Sequence, residues 1–480
     1  MTERSAGVQL LGGEMLAWSD LDGKHGPGPV GGAALAALLS TGQGHTLVVG
    51  PHDPDLLDAL PATELTVLVR GVRDAENLAA RYADRPAVQV CCGSPEKLAA
   101  LGPYDTVVAL DGLARLSSVE GPELAWGEAF DLIVSVLRPG GRLLLGVENF
   151  LGLHRLLALP PESTDSDWST LGEHDETRPA GLTRVRNRVT AAGLWIAGTW
   201  AAYPSPLAPT ALLGPELLAD GDVTGFLQAT LGGTGSDSPM LADPARSAGA
   251  AVRHGVAAEL APGWVLLAER VPAIHAAAGQ VTAPEGGALP AAVLVRDGRL
   301  REVHRDPAGG WWFADGGPVP PGRTVEDLVV AATLRRDLPA VRALLGGWQA
   351  GAEAGVPADQ VVVTPPVPGT GWRARPSRWR RCGGWRPGWS TPGWPTSGRC
   401  RPTNWRRPSP RWPGVIPCRP PARPGRPGAS RCRLPARPGR PGVRAGGSCC
   451  WTGTGWPASW PRPMLCTGGT TGRSPNATRS

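Results

Sequence analysis

The stretch LVVGPHDPDLL, Leu47 to Leu57, joins an apolar run to a helix start through Gly50, Pro51 and His52. A glycine at the carboxyl end of a buried strand lets the backbone lie against a bound cofactor where any Cβ would clash. Farther on, YDTVVALDGLARL ends a second apolar run on Asp111 and Gly112. Carboxyl edges of this kind are where doubly wound sheets bind ligands, so these five residues are candidates for a cofactor site, with an ordinary solvated loop as the alternative for Asp111.

The same turn bears on the kind of ligand. Asp53 followed by Pro54 is a good cap and first-turn pair. Asp53, Asp55 and Asp58 would place up to three negative charges at that helix start. A pyrophosphate needs free amide donors and a positive dipole there, so dinucleotide binding is disfavoured. Arg70, closing the run TVLVRG, could suit a 2′-phosphate, but the glycine fingerprint that should accompany it is missing. Glu148 and Asn149 end another apolar run, and His154 and Arg155 lie just past it, either lining a substrate pocket or on a solvated helix face. His174, in GEHDE, is a lid residue or only a loop residue. No Ser/His/Asp order, metal-ligand spacing or phosphate loop occurs elsewhere in the first 360 residues, and no catalytic residue or metal site is assigned.

The elements that must position these residues alternate from Thr46 onward. TLVVG, LTVLVR, AVQVCC, DTVVALD and GRLLLGVEN are near-continuous apolar runs, separated by helical segments such as DAENLAARYA and AWGEAFDLIVSVL. That alternation predicts an α/β fold with a parallel sheet covered on both faces. Cys91 and Cys92, adjacent in a strand, should point to opposite faces and form neither a disulfide nor half of a metal site. PVGGAALAALLSTG precedes the first strand as a short helix, and residues 1–29 are a weakly patterned, Gly-rich segment. Pro139, Gly140 and Gly141 form a turn. The polar segment LPPESTDSDWSTLGEHDETRPAG suits a surface loop or lid. LTRVRNRVTAAG predicts a helix, LWIAGTWAAYP a strand, residues 212–262 a loop-rich stretch and GWVLLAERV a last strand, closing a domain over 30–271. A linker at 272–290 leads to a small, incomplete α+β unit over 290–366, truncated where the tail begins. Its Asp297-Gly298 is a strong hairpin signal, and Thr324 with Asp327 starts a helical pair.

Charge divides the chain. Of 48 basic residues, 22 are arginines in residues 361–480, where no Asp, Glu or Lys occurs. The remaining 26 face all 42 acidic residues, a net of −16 for residues 1–360 and +22 for the tail. Residues 367–480 hold 10 of the 19 tryptophans and repeat PARPGRPG at 421–428 and 435–442. One reading is a disordered arm that binds nucleic acid by stacking and phosphate neutralisation. The other is a GC-rich gene translated out of frame after about residue 366, which accounts for the abrupt loss of acidic residues and for only two lysines, Lys24 and Lys97, before it. On either reading the tail has too little aliphatic surface to fold alone, and nucleic acid is a partner only through it. No basic start followed by an apolar core opens the chain, and no apolar run reaches ~18 residues. A soluble cytoplasmic protein without membrane contact is expected.

VLRPGGRLLLGVEN, Val136 to Asn149, resembles the segment before the fifth strand of class I S-adenosylmethionine-dependent methyltransferases. YDTVVALDGLARL resembles that family's fourth strand, and AAGLWIAGTWAAYPSP its last helix end and sixth strand. GVENFLGLHRLLA is similar to a bacterial subset, some of whose members are joined to glycosyl-transfer or kinase-like domains. The resemblance covers roughly residues 30–270 and implies a doubly wound Rossmann-like sheet, S-adenosylmethionine as cofactor and methyl transfer to a small-molecule or glycan-like acceptor. Of the family's ExGxGxG loop only Gly50 is kept, with His52 and Pro54 at the next two glycine positions. The acidic residue that would hold the ribose is replaced by Arg70. Gly93 and Ser94, with Glu96 beyond, stand where an acidic residue commonly meets the adenine amino group. The implied cofactor set is Gly50, Pro51, His52, Arg70, Gly93, Ser94, Asp111 and Gly112. A catalytically silent binding or scaffold domain is the alternative.

Overall fold

Apolar runs that alternate with helices fold into one large sheet, because each strand must bury both of its faces. The computed structural model describes residues 4–5, 7–24, 26–159, 175–232, 240–271, 289–364 and 379–381. The segment with His174, nearly all of the linker and the tail apart from 379–381 lie outside the described residues.

In chain order the elements are β1 Arg4–Ser5, β2 Val8–Gly12, α1 Ala33–Leu39, β3 His45–Val49, α2 Pro54–Asp58, β4 Glu64–Val69, α3 Val72–Arg81, β5 Val88–Gly93 and β6 Tyr104–Ala109. Next come α4 Trp126–Ser135, β7 Leu137–Glu148, α5 Leu153–Leu156, α6 Leu182–Ala191, β8 Leu194–Tyr203, β9 Ala211–Leu213, α7 Pro215–Leu218, α8 Thr224–Gly232, α9 Pro244–Arg253 and β10 Gly263–Arg270. The last are β11 Ala292–Arg296, β12 Arg299–Arg305, β13 Trp311–Phe313, β14 Arg323–Thr324, α10 Val325–Leu334, α11 Leu338–Ala350, β15 Val361–Val363 and β16 Trp379–Arg381.

Thirteen strands among the described residues form the main sheet, in the order β1-β2-β5-β4-β3-β6-β7-β10-β8-β9-β11-β12-β13. From β2 to β7 neighbours are parallel. β10 is antiparallel to both β7 and β8. Side chains alternate between two cores: Leu47, Val49, Val107, Ala109, Leu143 and Leu145 face one, and Val48, Val108, Leu110 and Leu144 face the other. Cys91 and Cys92 divide in the same way, and both are free thiols.

The structure corrects four expectations. Residues 8–12 are a strand, β2, paired parallel with β5, so the sheet extends beyond the predicted start of its domain. Pro139, Gly140 and Gly141 lie within β7 as an irregularity: pairing with β6 runs from Tyr104↔Leu137 to Thr106↔Arg142 with a register shift between them. Residues 212–262 contain α7, α8 and α9. Helix α8 hides from periodicity because it is apolar nearly all round, burying Phe226, Leu227, Ala229 and Leu231, as a helix enclosed by protein must. The small α+β unit does not stand apart, because β11 pairs with β9 and continues the main sheet. Its predicted two-residue hairpin is present, with Asp297 and Gly298 both at positive φ, 50° and 72°, and its helices are α10 and α11.

Candidate functional site

The chain leaves β3 for β4 on one side of the sheet, and later returns from β5 to β6 on the other. The crevice between the carboxyl ends of β3 and β6 is therefore the topological switch point, where open α/β sheets bind ligands. Gly50 and Gly112 turn the chain away from these two ends. Gly50 sits at φ 87°, a conformation that favours glycine, and a Cβ there would lie 3.5 Å from Asp111 Oδ2.

His52 is a clamp between the two strands. The Leu110 amide donates to its Nε2 at 3.3 Å, which places the ring proton on Nδ1, 3.2 Å from the Gly50 carbonyl that accepts it. The ring is 2% exposed, and burial lowers its pKa to about 4, so it is neutral at physiological pH. Pro51 accepts from the Val30 amide at 3.0 Å, and Asp53 N–H donates to Val30 O at 2.8 Å. Asp53 caps α2 by accepting from the Asp55 amide at 2.8 Å. Asp58 takes Arg81 at 2.7 Å and Arg85 at 2.9 Å, and Asp55 lies 3.4 Å from Arg81, so these two acids face α3 and its far end.

Arg70, at the end of β4, is held by a residue not singled out in the sequence. Its Nε and one terminal nitrogen donate to the two oxygens of Asp20, each at 2.8 Å, and its other terminal nitrogen donates to Ser117 O at 3.0 Å. Burial works to raise the Asp20 pKa, but hydrogen bonds from Arg70 and Trp18 and the charges of Arg70 and Arg115 outweigh it and hold the carboxyl below its ordinary range. Asp111 is paired with Arg115 through both oxygens. Its side chain is 1% exposed, and burial, opposed by Arg115, raises its pKa to about 6. Arg115 also donates to Pro27 O at 2.5 Å and Gly28 O at 3.0 Å.

One segment makes nearly all of these contacts. Residues 12–24 and 26–30 run over the carboxyl ends of β5, β4, β3 and β6 in turn. Gly12 O accepts from Ser94 N at 2.9 Å, and Met15 bridges to Gly71 beside Arg70. Asp74 accepts from Ser19 Oγ at 2.5 Å and from Asp20 N at 2.8 Å. Gly93 is required by this approach: a Cβ on it would sit 2.5 Å from Gly12 O. Asp20, Trp18 and Arg115 are the site residues missed from sequence. The signal for them was Arg70 itself, because a guanidinium ending a buried strand needs a carboxylate close by.

Farther along the edge, Glu148 accepts from Arg155 at 2.8 Å and lies 3.0 Å from His154 Nε2. Burial opposes its ionisation, but His154 and Arg155 together lower its pKa to about 2. Arg155 and Arg178 both lie over the Phe150 ring, 4.2 and 3.7 Å from its centroid. Asn149 is a corner, its amide donating to Glu259 O and Ala261 O at 2.7 and 2.8 Å. The structure thus brings Gly50, Pro51, His52, Arg70, Gly93, Ser94, Asp111 and Gly112 to one edge, with Glu148 and His154 beyond.

Two atoms test whether S-adenosylmethionine fits here. Ser94 Oγ and Glu96 Oε1 are buried without a hydrogen-bond partner, at the end of β5 where the resemblance implies the adenine amino group. Unpaired buried acceptors are costly, and an amino donor would satisfy them. At the end of β4, where the resemblance implies the ribose, the Asp20–Arg70 pair occupies the edge. Among the described residues no group of His, Cys, Asp and Glu could hold a metal ion, and no helix is long and apolar enough to cross a membrane.

No family model matches the chain, and no curated protein matches it significantly. Among solved structures it is similar to the candidate methyltransferase in complex with the Haloferax volcanii Trm112 methyltransferase activator, at 15% identity over 50% of this chain and 87% of that one, TM-score 0.29. It is also similar to N-methyltransferase NodS from Bradyrhizobium japonicum in complex with S-adenosyl-L-homocysteine, at 14% identity over 49% and 84% of the two chains, TM-score 0.28. The [4+2]-cyclase SpnF matches at 18% identity over 50% and 80%, TM-score 0.26. The fold rests on this chain's own strand order: six parallel strands with β3 and β6 at the switch point, and β10 inserted antiparallel between β7 and β8, make a doubly wound Rossmann-like sheet.

Proposed function

We propose that the chain is an S-adenosylmethionine-dependent methyltransferase whose cofactor lies across the ends of β5, β4, β3 and β6, beneath residues 12–30. Its acceptor, a small molecule or a glycan-like group, approaches from the end of β7. The observation that carries this reading is the pair of unpartnered buried acceptors, Ser94 Oγ and Glu96 Oε1, on a switch-point edge that keeps the Gly50 turn. Gly50 and Gly112 would let backbone approach the ligand. His52 would hold the two strand ends at fixed separation, and Asp20 would bring to the end of β4 the carboxylate that β4 itself lacks.

When bound, the cofactor supplies an already activated methyl group, so holding the acceptor in line contributes most of the rate. A base matters only when the acceptor is a protonated oxygen or nitrogen. Asp111 is the edge carboxyl whose pKa is shifted toward neutrality, and such shifts cluster at functional sites. The polar end of β7, with Glu148, His154 and Arg155, would orient the acceptor.

A specific observation supports the second reading, a silent scaffold domain: the Asp20–Arg70 pair and the bonds from Arg115 to Pro27 and Gly28 fasten residues 12–30 over the edge. Calorimetric titration of the full chain with S-adenosylmethionine separates the two. Methyl transfer predicts saturable heat that weakens by about tenfold when Ser94→Ala and Glu96→Leu are combined. Absence of heat at millimolar cofactor overturns it and leaves the scaffold.

A further inference from the structure

Away from the sheet edge, α8, α9, the first half of α10 and the single-turn helix Ala358–Gln360 line an open-sided cavity of about 570 Å³. Four carboxylates line it, Asp243, Glu326, Asp327 and Asp359, against two guanidiniums, Arg246 and Arg253. Both guanidiniums are already engaged, Arg253 with Asp327 at 3.4 Å and Arg246 with Glu326 at 3.9 Å. Arg323, outside the lining, also pairs with Asp327, 4.0 Å from its Oδ2, so one negative charge remains in excess.

Two helix starts also reach this cavity, which would ordinarily favour an anion. Here the chain's own caps take their donors. Asp243 accepts from the amides of Ala245 and Arg246 at 3.0 and 3.4 Å, and Thr324 Oγ1 accepts from the Asp327 amide at 3.2 Å. What is left unsatisfied is of the opposite kind. Gln228 is only 8% exposed and lines the cavity; its amide nitrogen donates to Gly249 O at 3.5 Å, while its Oε1 accepts nothing. Asp327 Oδ2 is buried and accepts no hydrogen bond, with only the Arg323 guanidinium at 4.0 Å as an ion-pair partner. A buried acceptor without a donor costs free energy that a bound N–H recovers.

The carboxylates come from three separate elements, and among the described residues no three of them converge closely enough to hold a metal ion. Excess negative charge that is spread out, together with buried acceptors and volume for several heavy atoms, suits an extended organic cation with N–H donors at more than one point. We propose that this cavity binds an aliphatic polyamine. One ammonium donates to Gln228 Oε1 and Asp327 Oδ2, and a second meets the more exposed carboxylates of Glu326 and Asp359. The site is separate from the sheet edge and does not depend on methyl transfer.

Calorimetric titration of the full chain with spermidine tests this. The expected result is saturable one-to-one binding, weakened at least about tenfold by Gln228→Leu, which removes the buried acceptor without leaving a polar atom behind. A second variant, Glu326→Gln with Asp359→Asn, keeps shape, removes two charges and should weaken binding comparably and flatten its salt dependence. Binding unchanged in both variants overturns the proposal. So does magnesium displacing spermidine at equal concentration, which would make this a metal site, or inorganic phosphate binding in its place, which would make it an anion site.

Discussion

The two halves of the crevice differ in how their polar groups are satisfied. Over β4 and β6 every buried charge has a partner from the same chain, Arg70 with Asp20 and Arg115 with Asp111. Over β5, Ser94 Oγ and Glu96 Oε1 are buried with none. The first half is complete as it stands; the second leaves two buried acceptors unsatisfied. Residues 12–30 do both, supplying Asp20 to the closed half and covering the open half without donating to its buried acceptors.

Breaking the closed half should have the largest effect. Asp20→Ala leaves the Arg70 guanidinium, whose side chain is 14% exposed, without its carboxylate. Loss of one partner of a buried pair costs ~3–5 kcal/mol, visible as a lower urea midpoint. Replacing both, Asp20→Leu with Arg70→Met, should recover most of that loss. An unchanged midpoint in Asp20→Ala would show that the pair is not what fastens the segment.

Asp111 gives the next effect, read through pH. Its folded pKa is raised from an ordinary 3.8 to about 6, so between those values the folded state binds the proton more tightly than the unfolded state. Stability contributed by this group is therefore greatest at low pH and falls as pH rises from about 4 to about 6, by ~3 kcal/mol for two pKa units. Asp111→Asn should remove that dependence, and a difference between wild type and variant that stays flat over this window contradicts the assignment. Glu148 acts in the opposite sense. Its pKa is lowered to about 2, so its stabilisation is present above its ordinary pKa of 4.5 and is lost as pH falls toward 2.

His52→Leu should cost ~2 kcal/mol, because the Leu110 amide and the Gly50 carbonyl are left unpaired in a buried place. The smallest effect belongs to the open half. Ser94→Ala removes a hydroxyl that has no partner, so stability should change by less than ~1 kcal/mol while cofactor affinity falls. A large loss of stability in Ser94→Ala would mean that the hydroxyl is engaged within the chain.

Much of the sheet was legible because β3 to β8 and β10 are long apolar runs, buried on both faces and separated by turn residues. The candidate residues were legible because strand ends in one parallel sheet share an edge. The covering segment was not. Residues 12–30 have no period of either kind, and they hold the edge through single residues, Met15, Asp20 and Val30, each meeting a partner distant in sequence. Helix α8 was missed for the opposite reason, being apolar on nearly every face. His52 read as a poor substitute for a glycine and is instead the neutral link between β3 and β6.

Hydrogen exchange of the full chain, with and without millimolar S-adenosylhomocysteine, tests the central claim most directly. The account predicts that ligand entry opens the Asp20–Arg70 closure, so that the amides of Met15, Asp20 and Val30 exchange faster while the ends of β5 and β6 exchange more slowly. Identical exchange over residues 12–30 and over all four strand ends would contradict it.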